Sequence, residues 1–139
     1  MKNLFLDTNI LIDFLADRKP FSESAAVLFQ LSADQKIQLY VAAVSISNVY
    51  YIVRQVHSHA KTIELLRLLQ QYVTVVPVDG AILTKATNSN FKDFEDAIQS
   101  FAAESEPEIE AIVTRNLKDF KLSNLPVFAP DVIINLLNA

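Results

Sequence analysis

Short apolar runs alternate with longer amphipathic ones along this chain. Leu4 to Leu6, Gln38 to Val41, Val73 to Val76, Ala111 to Thr114 and Val127 to Phe128 are brief, mostly apolar or β-branched stretches, and they read as buried strands. Between them, helical patterns cover Ile10 to Ala16, Ser22 to Ala33, Ser45 to His57, Lys61 to Tyr72, Asp79 to Asn88, Asp93 to Ala103 and Asp131 to Asn138. Leu65, Leu66, Leu69 and Tyr72 keep the three-and-four spacing of an amphipathic face, and Pro130 with Asp131 makes a favourable helix start. Strands alternating with helices predict an α/β fold of three layers, a parallel sheet with helices on both faces.

Composition narrows the picture. A chain of 139 residues predicts a single domain over 1–139, and a domain of that size buries roughly 70% of its unfolded surface. With 51% apolar and 20% charged residues the chain is globular in composition. There is no cysteine, which removes disulfides, thiolate catalysis and cysteine-based zinc sites, and suits a reducing compartment; the cytoplasm is the expected location. The N-terminal apolar run is broken by Asp7 and forms no signal-peptide core. Ile37 to Val53 carries no formal charge, but it falls short of the roughly 20 residues of a spanning helix and contains Gln38, Ser45, Ser47 and Asn48. No membrane segment is expected.

The net charge of −4 argues against coating nucleic acid by bulk electrostatics. It leaves room for an enzyme that handles a phosphodiester at a metal site, because a cation there brings its own positive charge. The single glycine, Gly80, removes glycine-rich phosphate loops.

The acids carry the chemistry. Leu4-Phe5-Leu6 stops at Asp7-Thr8-Asn9, a sequence that suits a helix-start turn and equally a ligand site, since ligands bind beyond the carboxyl ends of strands in open α/β sheets. "AIVTRNLKDF" ends the fourth predicted strand at Thr114 and then offers Asn116 and Asp119, while "DFEDAIQSFAAE" puts Asp93, Glu95 and Asp96 in the first turn of the preceding helix. If strands one and four are neighbours, these groups converge. Carboxylates so gathered repel one another unless protonated or bound to a cation, and oxygen-rich sites suit Mg²⁺ or Mn²⁺. The plainer alternative stays open: Asp93 as a helix cap, with Glu95 and Asp96 favouring the positive end of the helix dipole. Asp13 and Asp17 read as a solvated helix face, although Asp13 is also placed to orient the site from behind. His57 and His59, two residues apart at a helix end, share no face and read as dipole contacts rather than a metal pair.

"LDTNILIDFL", "DFEDAIQ" and "IVTRNLKDF", in this order and at these distances, resemble the PIN-domain family of metal-dependent ribonucleases, and "VSISNVYYIV" and "LPVFAPDVIINLL" fit the same family. The likeness covers nearly the whole chain and is greatest to a bacterial branch related to VapC-type toxins. It implies a PIN-like, Rossmann-like parallel sheet of about five strands, with acids at its carboxyl edge holding Mg²⁺ or Mn²⁺ for RNA hydrolysis. Carried over residue by residue, Asp7 and Asp96 take two metal-binding positions, Asn116 stands where the family has a fourth acid or its amide, and Asp119 supplies a further carboxylate. Thr8, Asn9 and Thr114 resemble supporting hydrogen-bonding groups. Asn48 occupies the place of a glutamate found in most of the family.

The expected activity is therefore metal-dependent endoribonucleolytic hydrolysis without a covalent enzyme intermediate, as the toxin of a toxin-antitoxin pair. Arg115, Lys118 and Lys121 surround the last motif, and are read as phosphate contacts or, equally, as an ordinary solvated loop. The expected partners are an RNA substrate, an antitoxin protein and a second copy of the chain, with Tyr50, Tyr51 and Val53 serving an interface or the core. Two rivals differ in class. A phosphorylated receiver domain needs an acid pair ending the first strand and an Asp ending the third, which this sequence lacks. A degenerate PIN domain that binds RNA or protein without cutting is kept open by Asn48 and Asn116.

Overall fold

The apolar runs become the strands of one parallel sheet. In the computed structural model, which describes residues 1–138, these are β1 (Asn3–Leu6), β2 (Gln38–Ala42), β3 (Val73–Val76), β4 (Ala111–Val113) and β5 (Val127–Phe128). They pair in the order β3-β2-β1-β4-β5, every neighbouring pair parallel. Ala139, the last residue of the expected domain, lies outside the described residues. Between and after the strands run α1 (Thr8–Leu15), α2 (Phe21–Ala33), α3 (Ala43–Val53), α4 (His59–Gln70), α5 (Gly80–Thr87), α6 (Phe94–Glu104) and α7 (Pro130–Leu137).

The two-residue period of a strand sends neighbouring side chains to opposite faces. Leu4, Leu6, Leu39, Val41, Ala111 and Val113 pack with residues of α1, α2, α3, α4 and α7 in one core. Phe5, Tyr40, Ala42, Val76 and Ile112 pack with α5 and α6 in the other. A sheet covered on both faces needs apolar residues at both parities, which is why these strands read as continuous rather than alternating. No helix among the described residues is long and apolar enough to cross a membrane.

Three local differences from the sequence reading have physical causes. Helix α3 is expected from Ser45 to His57 but spans Ala43–Val53, because β2 runs into it directly with Ala42 as N-cap. His57 accordingly lies between helices, and His59 opens α4, where its Nδ1 stands 2.8 Å from the Tyr50 hydroxyl rather than at a helix C-terminus. A 3-10 turn, Leu117–Phe120, lies where no element is expected; four residues are too few to show a period, and its anchor is the fully buried Phe120. Of the apolar stretch on α3, Val53 is buried in the first core, Tyr50 packs against that core and Tyr51 is exposed.

Candidate active site

Strand order reverses at β1. The chain steps outward from β1 through β2 to β3, then returns across α5 and α6 to lay β4 on the other side of β1. Connections therefore leave β1 and β4 in opposite directions, which opens a crevice beyond their carboxyl ends. Asp7 occupies its floor. The Asp7 N–H donates to the Val113 carbonyl at 3.0 Å, extending the β1–β4 ladder by one residue.

Asp7 stands at the N-cap position of α1, yet its side chain makes no capping bond. The carboxylate reaches across the sheet instead: Thr114 Oγ1 donates to Oδ2 at 2.8 Å and Gln99 Nε2 to Oδ1 at 3.2 Å. Gln99, buried on α6, also accepts the Thr8 N–H at Oε1 (3.0 Å). A backbone N–H can only donate, so this bond fixes the amide with its NH₂ toward Asp7. Thr114 Oγ1 in turn accepts the Asn116 N–H at 3.0 Å. Thr8 Oγ1 donates to Glu95 Oε1 at 3.1 Å and lies 2.7 Å from Ser45 Oγ on α3.

Above Asp7 opens a cleft of about 470 Å³. Of the residues expected at the site, Asp7, Thr8, Asn9, Asn48, Asp93, Asp96, Asn116 and Asp119 all line it; Thr114 lies beneath, bonded to Asp7. Asp93 is a true N-cap, accepting the Asp96 N–H at 3.0 Å, so for that residue the capping alternative is realised at the cleft's edge. The sequence did not point to Gln99 or Ser45 as site residues, and Tyr51, expected in an interface or the core, lines the cleft instead. A glutamine in mid-helix and a serine near a helix start carry no local signal, since their partners lie far away in the chain.

Charge crowding marks the cleft. Burial raises the Asp7 carboxyl above its ordinary value, against the lowering effect of the Thr114 and Gln99 bonds, and the Glu95 charge adds to the rise. Asp96, half-buried, is pushed up to about 7, first by burial and then by Asp93, Asp7, Asp119 and Glu95. The donors are carboxylates, amides and hydroxyls, which fits a hard divalent cation rather than a soft one. Among the described residues, no three acids or histidines are already gathered into a set that could hold a metal. The oxygens thus line the walls without closing on a common centre.

Residues 3–118 match the PIN domain. The chain belongs to the PIN-domain family. Among its PIN relatives is Ribonuclease VapC1 of Aquifex aeolicus, 23% identical over 110 residues, or 76% of each protein. A toxin-antitoxin complex from Klebsiella pneumoniae shares the fold at a TM-score of 0.64, with 24% identity over 93% of this chain and 98% of that one. So does Mycobacterium tuberculosis VapC20, described as a sarcin-ricin loop cleaving toxin, at a TM-score of 0.60 and 15% identity over 79% and 87% of the two chains. The PIN fold and the VapC-like branch expected from the sequence are both found.

Two expectations around the PIN motifs need correction. Asp13 is not on a solvated face: it is 1% exposed, and Arg115 Nε and Nη2 hold its two oxygens at 2.7 and 3.0 Å. Arg115 is therefore not a free phosphate contact, since its guanidinium is committed to Asp13 and lies 3.9 Å over the Phe21 ring. The pair ties α1 to the loop after β4. Lys118 and Lys121 keep open positions, lining a side cleft of about 260 Å³ with Lys92 and with Asp93, Asp96 and Asp119 of the main cleft.

Two outcomes follow. Arg115→Ala leaves a buried carboxylate unpaired and is expected to cost about 3 kcal/mol in denaturant unfolding, most of it recovered when Asp13→Leu and Arg115→Met are combined. A negligible stability change with weaker RNA binding would restore the phosphate role.

The second outcome concerns pH. Asp7 and Asp96 bind protons more readily folded than unfolded, so the stability they contribute is fully present below about pH 4 and is lost as pH rises, for Asp96 through about 7. In chelator-treated protein, the thermal stability of Asp96→Asn relative to wild type should accordingly climb between about pH 4 and pH 8. A difference that does not vary with pH would show that Asp96 is not crowded.

Proposed function

We propose that this PIN domain is a metal-dependent endoribonuclease of the toxin type, hydrolysing phosphodiester bonds in RNA and restrained by an antitoxin protein. One observation carries the reading: Asp7 from the end of β1 and Asp96 from the start of α6 meet in one cleft at the switch point of the sheet, each carboxyl raised by burial and by its neighbours' charge. Membership of a family whose relatives include Ribonuclease VapC1 supports the reaction, and the toxin-antitoxin complex among its structural likenesses supports the partner.

Asp7 and Asp96 would hold Mg²⁺ or Mn²⁺, with Asn116 and Asp119 on the wall after β4. Such a cation supplies Lewis acidity, making water a better nucleophile at neutral pH and offsetting charge on the scissile phosphate. The chain's own contribution is orientation. Thr114 donates to one Asp7 oxygen and Gln99 to the other, which fixes the carboxylate at the cleft that Asp7 lines. The Asn116 N–H bond to Thr114 sets the start of the opposite wall. Lys118 and Lys121, joined by Lys92, offer positive charge for the flanking phosphates of a strand leaving the cleft, which lets an acidic protein bind RNA locally.

A second reading, a PIN domain that binds RNA or a partner protein without cutting, draws on Asn48 and on the absence, among the described residues, of a gathered acid triad. Cleavage assays separate the two. Wild type is expected to cut RNA with Mn²⁺ and to stop with chelator, and Asp7→Asn and Asp96→Asn are each expected to reduce cutting to background while circular dichroism shows the native fold. Wild-type cutting by either variant removes that residue from the site, and RNA bound but never cut selects the second reading.

A further inference from the structure

We infer that Glu95 is a working carboxylate of the cleft, aimed into it by a chain of buried hydroxyls, and that it strengthens the hold on a divalent cation. The inference rests on the reading above. Glu95, in the first turn of α6, is half-buried and lines the cleft with Asp7 and Asp96, a placement that the helix dipole alone does not require.

The hydrogen bonds around Glu95 tether one of its oxygens. Thr8 Oγ1 donates its only proton to Glu95 Oε1 at 3.1 Å, so its 2.7 Å contact with Ser45 Oγ must be filled by the Ser45 proton. Ser45 is fully buried and Thr8 nearly so. The two hydroxyls thus form a short relay from α3 through α1 that ends on Glu95 Oε1 and fixes where that oxygen sits. Its other oxygen, Oε2, accepts no hydrogen bond among the described residues, so one oxygen is tethered and the other is free to act as a donor to a cation. The α3 residues that line the same cleft, Asn48, Tyr51 and Ile52, include no carboxylate. The third helix therefore braces a carboxylate carried by α6, through Ser45, and contributes none of its own.

The test is calorimetric titration of the RNA-free, full-length chain with Mn²⁺ alone. Glu95→Gln keeps the shape and still accepts the Thr8 proton, so a role confined to holding Thr8 leaves affinity unchanged. A carboxylate serving the cation predicts Mn²⁺ binding weakened about tenfold or more, because cation affinity follows ligand charge. The melting temperature of the metal-free variant should be no lower than that of wild type. Thr8→Val, which cuts the tether and keeps the charge, should weaken binding less than Glu95→Gln. Wild-type affinity in Glu95→Gln, with binding lost in Asp96→Asn, overturns this inference alone; wild-type affinity in both overturns the metal reading beneath it.

Discussion

A carboxylate buried at the end of the central strand has to be satisfied from somewhere, and the way Asp7 is satisfied organises the rest of the site. Its two oxygens accept from Thr114, just past β4, and from Gln99 on α6. Those bonds join the end of β1 to α6 and to the end of β4, partners 92 and 107 positions away in the chain. They also join the side of the sheet built from β1 outward with the side added by β4. An unpartnered buried carboxylate would cost several kcal/mol or take up a proton. With two donors in place it sits at the bottom of the crevice that strand order creates, turned toward the space above. Gln99 is held in turn by the first backbone N–H of α1, so the start of that helix and the orientation of Asp7 are set together.

The acids around Asp7 have the opposite character, because they are crowded rather than satisfied. Asp96 feels Asp93, Asp7, Asp119 and Glu95 at once. A protein that keeps such a cluster stores electrostatic strain that a cation would relieve, which is the usual trade of stability against function at a working site. Neutral hydrogen bonds from Thr114 and Gln99 hold Asp7, and the Asp13–Arg115 ion pair ties α1 to the loop after β4. The overall negative charge and the proposed RNA substrate are reconciled by geometry. Repulsive charge is gathered at one spot, and Lys92, Lys118 and Lys121 stand immediately beside it.

Local pattern sufficed for the sheet and most helices, since short apolar runs and amphipathic spacing depend on near neighbours in sequence. It also placed the acids at a strand end and a helix start, both visible in the chain; their convergence depended on strands one and four being neighbours, which the sheet order supplies. Pairings that span the chain were hidden. Thr114 lies 107 positions from Asp7 and Gln99 lies 92. Nothing near Gln99 distinguishes it from a surface glutamine on a helix. Asp13 was read as solvated for the same reason: its partner Arg115 is 102 positions away, and a lone acid on a helix is ordinarily at the surface. The shift of α3 reflects a strand passing straight into a helix with no polar residue to mark the change.

The proposed function requires the Asp7–Asp96 cleft to be a divalent cation site. Anomalous diffraction at the manganese edge from crystals of the protein soaked in Mn²⁺ tests it most directly, because it locates the ion without relying on activity. An anomalous peak is expected in the cleft, within coordination distance of about 2.0–2.3 Å of oxygens from both Asp7 and Asp96. A peak elsewhere on the surface with the cleft empty, at Mn²⁺ concentrations that support cleavage, would contradict it.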